Sequence, residues 1–240
     1  MMRSEINLAI LEGLAFINQQ GFILPPFAKW FREDWQAIGA EASEIVQRGL
    51  GWDVTDFGLG HFRFQGVLLF TIRNGTLENL KAGKGKAYCE KVLVCRPNQV
   101  VMHHFHKQKT EDIINRAGGT LELILQYVNQ NGQPLETEVE VVRDGIKRTV
   151  PASGTVLLEP GESITLEPYM MHQFQALQET VLVGEVSSVN DDHNDNFFLE
   201  PVGRFPKIVE DVNPLQIVIG DYAEYCRSEL LVAAGLLEAQ

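Results

Sequence analysis

Cationic side chains are scarce in this chain of 240 residues. Its 20 lysines and arginines stand against 32 aspartates and glutamates, which gives a formal net charge of −12. Such a surface repels nucleic acid and anionic membranes, so we expect neither as a partner. The same charge disfavours an anionic substrate unless the site carries positive charge of its own.

Long apolar runs are also missing. No stretch of about 18 consecutive apolar residues occurs, so no membrane span is predicted. The apolar stretch at the N-terminus is interrupted by Glu5, Asn7, Glu12 and Asn18, and no small-residue cleavage site follows it. It therefore predicts an amphipathic helix rather than a signal peptide.

Cysteine is the third scarce feature. Cys89, Cys95 and Cys226 are odd in number and lack the spacing of metal ligands. We therefore expect a reduced, cytoplasmic protein with partly buried thiols.

Residues 1–50 have the pattern of helices. Ser4 is the expected N-cap of the first helix and Gly21 its C-cap. Between them, apolar side chains recur at helical spacing: Ile6, Ile10, Leu14 and Ile17. Phe27–Gln36 and Glu41–Gln47 are predicted to be two further short helices.

Beyond residue 50 the pattern changes to short alternating runs. Those that predict strands are His61–Ile72, Lys86–Val94, Val100–His106, Gly119–Val128, Thr137–Val142, Thr155–Leu158, Ser163–Leu166 and Thr180–Val189. Turn pairs separate several of them: Asn74-Gly75, Asn131-Gly132, Asp144-Gly145 and Pro160-Gly161. Arg227–Ala239 predicts a closing helix. Together these features predict one domain over 1–240: a helical extension at 1–50, an antiparallel barrel or sandwich at 51–200 and a C-terminal extension at 201–240.

Three of the six histidines are concentrated in one segment, at His103, His104 and His106. Successive side chains of a strand point to opposite faces, so His104 and His106 share one face and His103 lies on the other. Choosing His103 as a metal ligand would leave only one histidine facing inward. We therefore select His104 and His106.

A carboxylate and a third imidazole complete a set of metal ligands. Glu111 follows His106 by five positions, and a turn between them would return its carboxylate to the two imidazoles. His172 is the candidate fourth ligand, because it follows a tight Pro-Gly turn, a short strand and a second proline, Pro168. Three imidazoles and one carboxylate suit one divalent ion, Mn²⁺, Fe²⁺, Co²⁺, Ni²⁺ or Zn²⁺. They leave two positions of an octahedral ion open, as in a catalytic site.

Two segments resemble the sequence motifs of the cupin superfamily. The first runs from His104 through Glu111 to Gly118. The second runs from Pro160 to His172, with methionine where glycine is common and a spacing to the histidine that is one residue shorter. The resemblance implies an all-β, cupin-type antiparallel β-barrel (jelly roll) with helical additions at both ends.

Further segments narrow the resemblance to the D-lyxose ketol-isomerase family. They extend from the N-terminal helix to about Pro206: Gly21–Phe27, Leu50–Thr55, Glu111–Arg116, Gly184–Asp192 and Phe198–Pro201. The resemblance implies a manganese-dependent isomerase of D-lyxose and D-xylulose, often also of D-mannose and D-fructose, and usually a homodimer.

An aldose–ketose isomerase moves a proton between adjacent carbons, and a metal with two open positions would stabilise the enediolate formed on the way. Lys109 is one candidate for proton transfer. It lies two residues before Glu111, so an extended strand would place it on the metal-facing side. A nearby cation would lower the pKa of its ammonium, which suits it to shuttle protons or hold a substrate oxygen. The alternative is a solvated lysine.

Glu185 is the second candidate, because it interrupts the apolar run Val181–Val186. A bare buried charge is costly, so its carboxylate is expected to face inward or to be paired. A raised pKa would then suit it to act as a general base, whereas its alternative role is to orient a ligand histidine.

Other polar side chains are candidates for the mouth of the site. Arg204, Asp191, Asp192 and Asp195 have the chemistry to bind sugar hydroxyls, although a solvated acidic loop is the alternative for the three aspartates. The three tryptophans are expected in the core or a dimer interface rather than against a sugar.

Two other functions use the same ligand set. One is an Fe²⁺ dioxygenase of the cupin type, and the other is a metal-holding, sugar-binding module without turnover. A phosphosugar isomerase stays open as well, although no basic cluster lies beside the ligands in the sequence.

Overall fold

Antiparallel strands dominate the computed structural model of the protein, which describes residues 1–238. The α-helices are α1 Arg3–Gln19, α2 Arg32–Ala37, α3 Ser43–Gln47, α4 Leu77–Ala82, α5 Tyr222–Tyr225 and α6 Ser228–Ala233. Short 3₁₀ helices span Pro26–Lys29, Ala40–Ala42 and Ile219–Asp221. The strands are β1 Gly51–Thr55, β2 Val67–Arg73, β3 Tyr88–Cys95, β4 Val100–Phe105, β5 Glu111–Tyr127, β6 Val139–Arg143, β7 Ile146–Val150, β8 Gly154–Leu158, β9 Ser163–Leu166, β10 Met170–Ser188 and β11 Phe197–Phe198.

Hydrogen bonds join these strands into one sheet. Its order is β1-β2-β3-β10-β5-β9-β6-β7, with β8 on β5, β4 on β10 and β11 on β4. Every strand pair is antiparallel, which confirms the mostly antiparallel architecture. Over residues 1–238 the order has free ends at β1 and β7, so hydrogen bonds do not close the sheet. The closed jelly-roll barrel stays a prediction.

The two longest strands, β5 and β10, lie side by side and bend together. The first part of β10 pairs with β4 and its later part with β3. The register between β10 and β5 shifts between Leu177 and Val181 of β10, and Val181 lies opposite Gly118 of β5. Gly118 has φ +99°, and a Cβ there would lie 2.1 Å from the carbonyl oxygen of Thr180. Only glycine fits this bend, which accounts for the glycine at the end of the first cupin-like motif.

Helix α1 covers the outer face of the sheet. Ile6, Ile10 and Ile17 pack against Leu68 and Phe70 of β2, among other strand residues. Val67 and Leu69, on the opposite face of β2, lie in a separate cluster of buried apolar side chains. The strand is therefore apolar on both faces, and polar and apolar side chains do not alternate along it.

The predicted N-cap of α1 is wrong by two residues. The helix begins at Arg3 after Met2, whose backbone N–H donates to the Glu5 carboxylate at 2.8 Å. Ser4 instead donates its backbone N–H and its hydroxyl to the Asp211 carboxylate, which ties the helix to the C-terminal segment. The C-cap is Gln20, one residue before the predicted Gly21, and Gly21 follows in the left-handed conformation at φ +74°.

Several short elements escaped prediction. β1 is buried along its whole length although its side chains alternate in polarity from Trp52 to Thr55, β7 is largely exposed, and α4 has no buried residue. The Asp144-Gly145 turn is confirmed, with both residues at positive φ between β6 and β7. The closing helix is shorter than predicted and spans Ser228–Ala233, and Ala239 lies outside the described residues.

All three cysteines are buried free thiols. Among residues 1–238, no helix combines the length and the apolar character that a membrane crossing requires.

Candidate metal centre and active site

Three neighbouring strands bring the four predicted metal ligands together. His104 lies at the end of β4 and His106 directly after it, whereas Glu111 opens β5. His172 lies near the start of β10, opposite His104 in the strand register. The turn predicted between His106 and Glu111 is present, and it returns the carboxylate to the imidazoles.

Each of the three imidazoles has its Nδ1 bound to a backbone carbonyl oxygen. His104 Nδ1 donates to Met102 at 2.8 Å, and His172 Nδ1 donates to Met170 at 3.0 Å. His106 Nδ1 donates to the carbonyl oxygen of Asp195. Because a neutral imidazole carries one N–H, these bonds leave Nε2 of each ring with a lone pair.

The Nε2 atoms of the three rings lie close together. His104 Nε2 lies 3.1 Å from His172 Nε2, and His172 Nε2 lies 3.1 Å from Glu111 Oε1. His106 Nε2 lies 3.5 Å from the same oxygen, and both of these atoms are buried without a hydrogen-bond partner. Unprotonated ligand atoms at such distances repel each other unless a cation lies between them. The three imidazoles form a cluster that can hold a metal ion, and Glu111 Oε1 lies within 3.5 Å of Nε2 in two of them.

The protonation states agree with a cation site. Burial and the other two imidazoles hold the pKa of His104 well below its usual range. Burial and the Lys109 ammonium lower the pKa of His106. Burial alone would raise the pKa of Glu111, but Lys109 and His106 outweigh it and hold that pKa well below its usual range. Neutral imidazoles and an ionised carboxylate are the forms that bind metal.

Lys109 is buried, so the solvated alternative is wrong. Its Nζ lies 2.6 Å from Glu111 Oε2 and 3.0 Å from Glu185 Oε1. Burial lowers the pKa of Lys109, but these two carboxylates outweigh it and raise the pKa above the ordinary value. The lowering expected from a neighbouring metal ion is a separate effect and stays a prediction. Lys109 also lies in a turn rather than on an extended strand.

Glu185 is buried and paired, as predicted. Its Oε1 lies 3.0 Å from Lys109 Nζ and 3.3 Å from the Nζ of Lys91, which is opposite it on β3. Its hydrogen bonds within residues 1–238 include none to an imidazole, so its role as a support for a ligand histidine finds no contact. Lys91 escaped prediction, although it interrupts an apolar strand just as Glu185 does.

Beyond Lys91, the series of paired charges continues with the carboxylate of Asp192 and the guanidinium of Arg204. Asp192 Oδ1 lies 3.8 Å from Lys91 Nζ, and Asp192 Oδ2 lies 3.4 Å from Arg204 Nη2. Arg204 Nη2 also contacts Asp53 at 2.6 Å. Its Nη1 is buried and has no hydrogen-bond partner.

One pocket unites these groups. His104, His172, Glu111, Lys109, Glu185 and Arg204 all line it, together with Lys91 and Asp192. Its other walls are apolar and include Phe57, Leu69, Leu93, Phe174 and Phe198. A few convergent polar groups between apolar walls are typical of a small-molecule site.

The remaining candidates lie elsewhere. His103 lies 3.7 Å from Glu200, away from the imidazole cluster, as strand alternation predicts. Asp191 binds its own loop through His193 and Asn194, and Asp195 binds the turn before Glu111. Trp35 and Trp52 are buried in the core.

The sequence comparison decides the family. A profile of the family described as D-lyxose isomerase matches residues 1–222. The chain belongs to the D-lyxose isomerase family. Its members include curated relatives named D-lyxose/D-mannose isomerase. The one from Escherichia coli O157:H7 is 42% identical and covers 94% of this chain and 100% of its own length. The one from Serratia proteamaculans is 41% identical and covers 94% and 99%. The chain is therefore an enzyme of the sugar isomerase class, which confirms the resemblance found in the sequence.

Solved structures support the fold. An L-ribose isomerase from Acinetobacter sp. DL28, in complex with L-ribose, superposes with a TM-score of 0.58 at 13% identity. The match covers 87% of this chain and 98% of that chain. At this identity the likeness concerns the fold alone.

Proposed function

We propose that this isomerase interconverts D-lyxose and D-xylulose, and also D-mannose and D-fructose, with one divalent metal ion per chain. The proposal of a metal ion is supported by the close approach of three imidazole nitrogens and one carboxylate oxygen. The sugars rest on the names of the curated relatives. The ligands are His104, His106, Glu111 and His172. We propose Mn²⁺, although Co²⁺, Fe²⁺, Ni²⁺ and Zn²⁺ also accept such a set.

When bound, the ion would supply Lewis acidity to two adjacent sugar oxygens. Glu185 is the proposed base for the carbon-bound proton. Both lysines contact its Oε1, and Oε2 receives no hydrogen bond from residues 1–238. Oε2 would take the proton from one carbon, leaving the enediolate, and return it to the neighbouring carbon.

Lys109 is the proposed acid for the oxygens. Flanked by two carboxylates it is an ammonium, so it has a proton to deliver to the oxygen that is losing its double bond. It would recover a proton from the adjacent hydroxyl as the carbonyl forms there, and no net proton is consumed.

Arg204 is the proposed substrate-binding residue. Its Nη1 is a buried donor without a partner and belongs to a side chain that lines the pocket. An unsatisfied buried donor is costly, so a sugar hydroxyl that accepts its hydrogen bond would be stabilised there.

Three wider properties remain proposals that rest on the sequence. We propose a homodimer from the family resemblance and a cytoplasmic location from the free thiols. We also propose a single cupin-type domain over 1–240.

A sugar panel tests the function. We expect purified protein with Mn²⁺ to form D-xylulose from D-lyxose and D-fructose from D-mannose. Activity should be lost with a chelator and restored with Mn²⁺. His104→Ala should lower turnover at least 100-fold. No product from either sugar would overturn the proposal, and so would full activity in the chelated protein.

A further inference from the structure

Every cation that lines the pocket is paired with a carboxylate. Lys109 lies between Glu111 and Glu185, Lys91 between Glu185 and Asp192, and Arg204 between Asp192 and Asp53. Among the side chains, four carboxylates therefore neutralise three cations, and a bound metal ion would add its own charge on the side of Glu111. The local positive charge that an anionic substrate would need is present in the side chains but cancelled by their neighbours.

We propose that Asp192 is a specificity-determining residue, which keeps phosphorylated sugars out of the pocket by occupying Arg204 and Lys91. The inference deepens the proposed function and rests on it, because it concerns which sugars that site accepts.

Arg204 is the group that a phosphate would otherwise use. A guanidinium binds phosphate best through two parallel N–H donors. Here Nε lies 3.4 Å from Asp192 Oδ1, and Nη2 is shared between Asp192 and Asp53. Among the described residues, Nη1 alone of the guanidinium nitrogens finds no hydrogen-bond partner. The N–H groups of Nη1 are enough for a neutral sugar hydroxyl. A phosphate bound there would lack the second donor and would lie beside the carboxylates of Asp192 and Asp53.

Asp192 keeps its negative charge in this position. Its side chain is 15% exposed and lies against both cations. Burial alone would raise the pKa of Asp192, but Arg204 and Lys91 outweigh it and hold that pKa well below its usual range. The residue is therefore an anion near neutral pH, and it would repel a second anion at short range.

Asp192→Asn keeps the size of the side chain and removes the charge. The test uses two probes that contain no carbonyl and cannot turn over, mannitol and mannitol 1-phosphate. Their dissociation constants are measured by titration calorimetry with the Mn²⁺-loaded enzyme. In the wild type we expect mannitol to bind more tightly than its phosphate. In Asp192→Asn the ratio of the two constants should shift towards the phosphate by at least tenfold, and added salt should reduce the shift.

Two variants serve as controls. Asp191→Asn changes the net charge equally one residue away, and its amide oxygen can still accept the hydrogen bonds of its loop. It should leave the ratio unchanged. Asp192→Glu retains the charge and should exclude the phosphate as the wild type does, which separates charge from loop disruption. Melting temperatures establish that each variant is folded.

The outcomes are distinct. An unchanged ratio in folded Asp192→Asn overturns the proposal, as does an equal shift in Asp191→Asn, while sugar turnover by the wild type leaves the proposed function in place. If Asp192→Asn does not fold, exclusion of the phosphate by Asp192→Glu supports the proposal, and tight binding of the phosphate by Asp192→Glu overturns it. If the wild type neither binds mannitol nor converts any sugar, the proposed function and this inference both fail.

Discussion

The two oxygens of the Glu185 carboxylate have different surroundings. Oε1 contacts the ammonium groups of Lys109 and Lys91 at 3.0 and 3.3 Å. Oε2 receives no hydrogen bond from the described residues. The lysines hold the carboxylate in one orientation, and the oxygen without donors is the one available to take a proton.

Glu185→Gln replaces that oxygen with a group that cannot accept a proton from carbon. We expect kcat to fall by about 10²–10⁴-fold, the usual contribution of a general base, with a smaller change in KM. The Mn²⁺ content should stay at the wild-type level, because Glu185 lies beyond the ligand atoms. Steady-state kinetics and metal analysis measure the two effects.

Glu179→Gln is the matched control, since Glu179 is an exposed carboxylate on the same strand. It should have wild-type kinetics. A Glu185→Gln enzyme with nearly full kcat would show that another group takes the proton.

Residue-level rules predicted part of this site. Strand alternation separated His104 from His103, because a strand side chain has only two directions. The rule that a charge in an apolar run must be paired predicted the burial of Glu185. The same rule applies to Lys91, yet its partners Glu185 and Asp192 are about a hundred residues away in the chain, and no local pattern names them.

The turn between β4 and β5 is built around one side chain, Asp195. Its carboxylate accepts the backbone N–H groups of Lys107 at 2.8 Å and Lys109 at 3.0 Å, and Gln108 lies within reach of both oxygens. Its backbone carbonyl accepts the Nδ1–H of His106. Asp195 thus fixes the turn that returns Glu111 to the imidazoles, and it also orients one of them.

Asp195→Ala removes the acceptor of three backbone donors. We expect the free energy of unfolding to fall by about 1–3 kcal/mol, the cost of unsatisfied buried donors. Mn²⁺ affinity should fall by about 10–100-fold, as is usual when the support of a ligand histidine is lost. Urea unfolding and Mn²⁺ titration measure the two effects.

Asp195→Asn keeps one acceptor oxygen and should lie between the wild type and Asp195→Ala in both measurements. Wild-type Mn²⁺ affinity in Asp195→Ala would contradict the role given to this turn.

Elements with a regular pattern were predicted best. The observed bounds of β3, β4, β8 and β9 agree closely with the alternating runs that predicted them. β5 and β10 are much longer than the runs that predicted them. Their bend at Gly118 explains the difference. A long strand whose two parts pair with different neighbours changes its pattern of burial where the register shifts.

At the scale of the whole molecule, the topology gathers one site from distant parts of the chain. His104 and His172 are 68 residues apart but lie opposite each other because β10 pairs with β4. Asp195 and Arg204 follow β10: the backbone carbonyl of Asp195 accepts the Nδ1–H of His106, and Arg204 lines the pocket. The C-terminal segment is held in turn by buried Arg3, which binds Glu210 and Asp221.

The four proposed metal ligands could be selected from the sequence because they lie in two short segments that resemble cupin motifs, and the fold brings the four side chains together. The series of charges from Glu111 to Asp53 could not be predicted, because it depends on contacts among β1, β3, β5, β10 and three loops. The family resemblance predicted the class of reaction, but it did not predict these contacts.

The most direct test of the central claim is a Mn²⁺ titration followed by electron paramagnetic resonance, on the wild type and on two variants of adjacent histidines. The wild type and His103→Ala should each bind one Mn²⁺ per chain with similar affinity, and His104→Ala should lose at least 100-fold. Equal binding by the wild type and His104→Ala, or loss of binding in His103→Ala, would contradict the account.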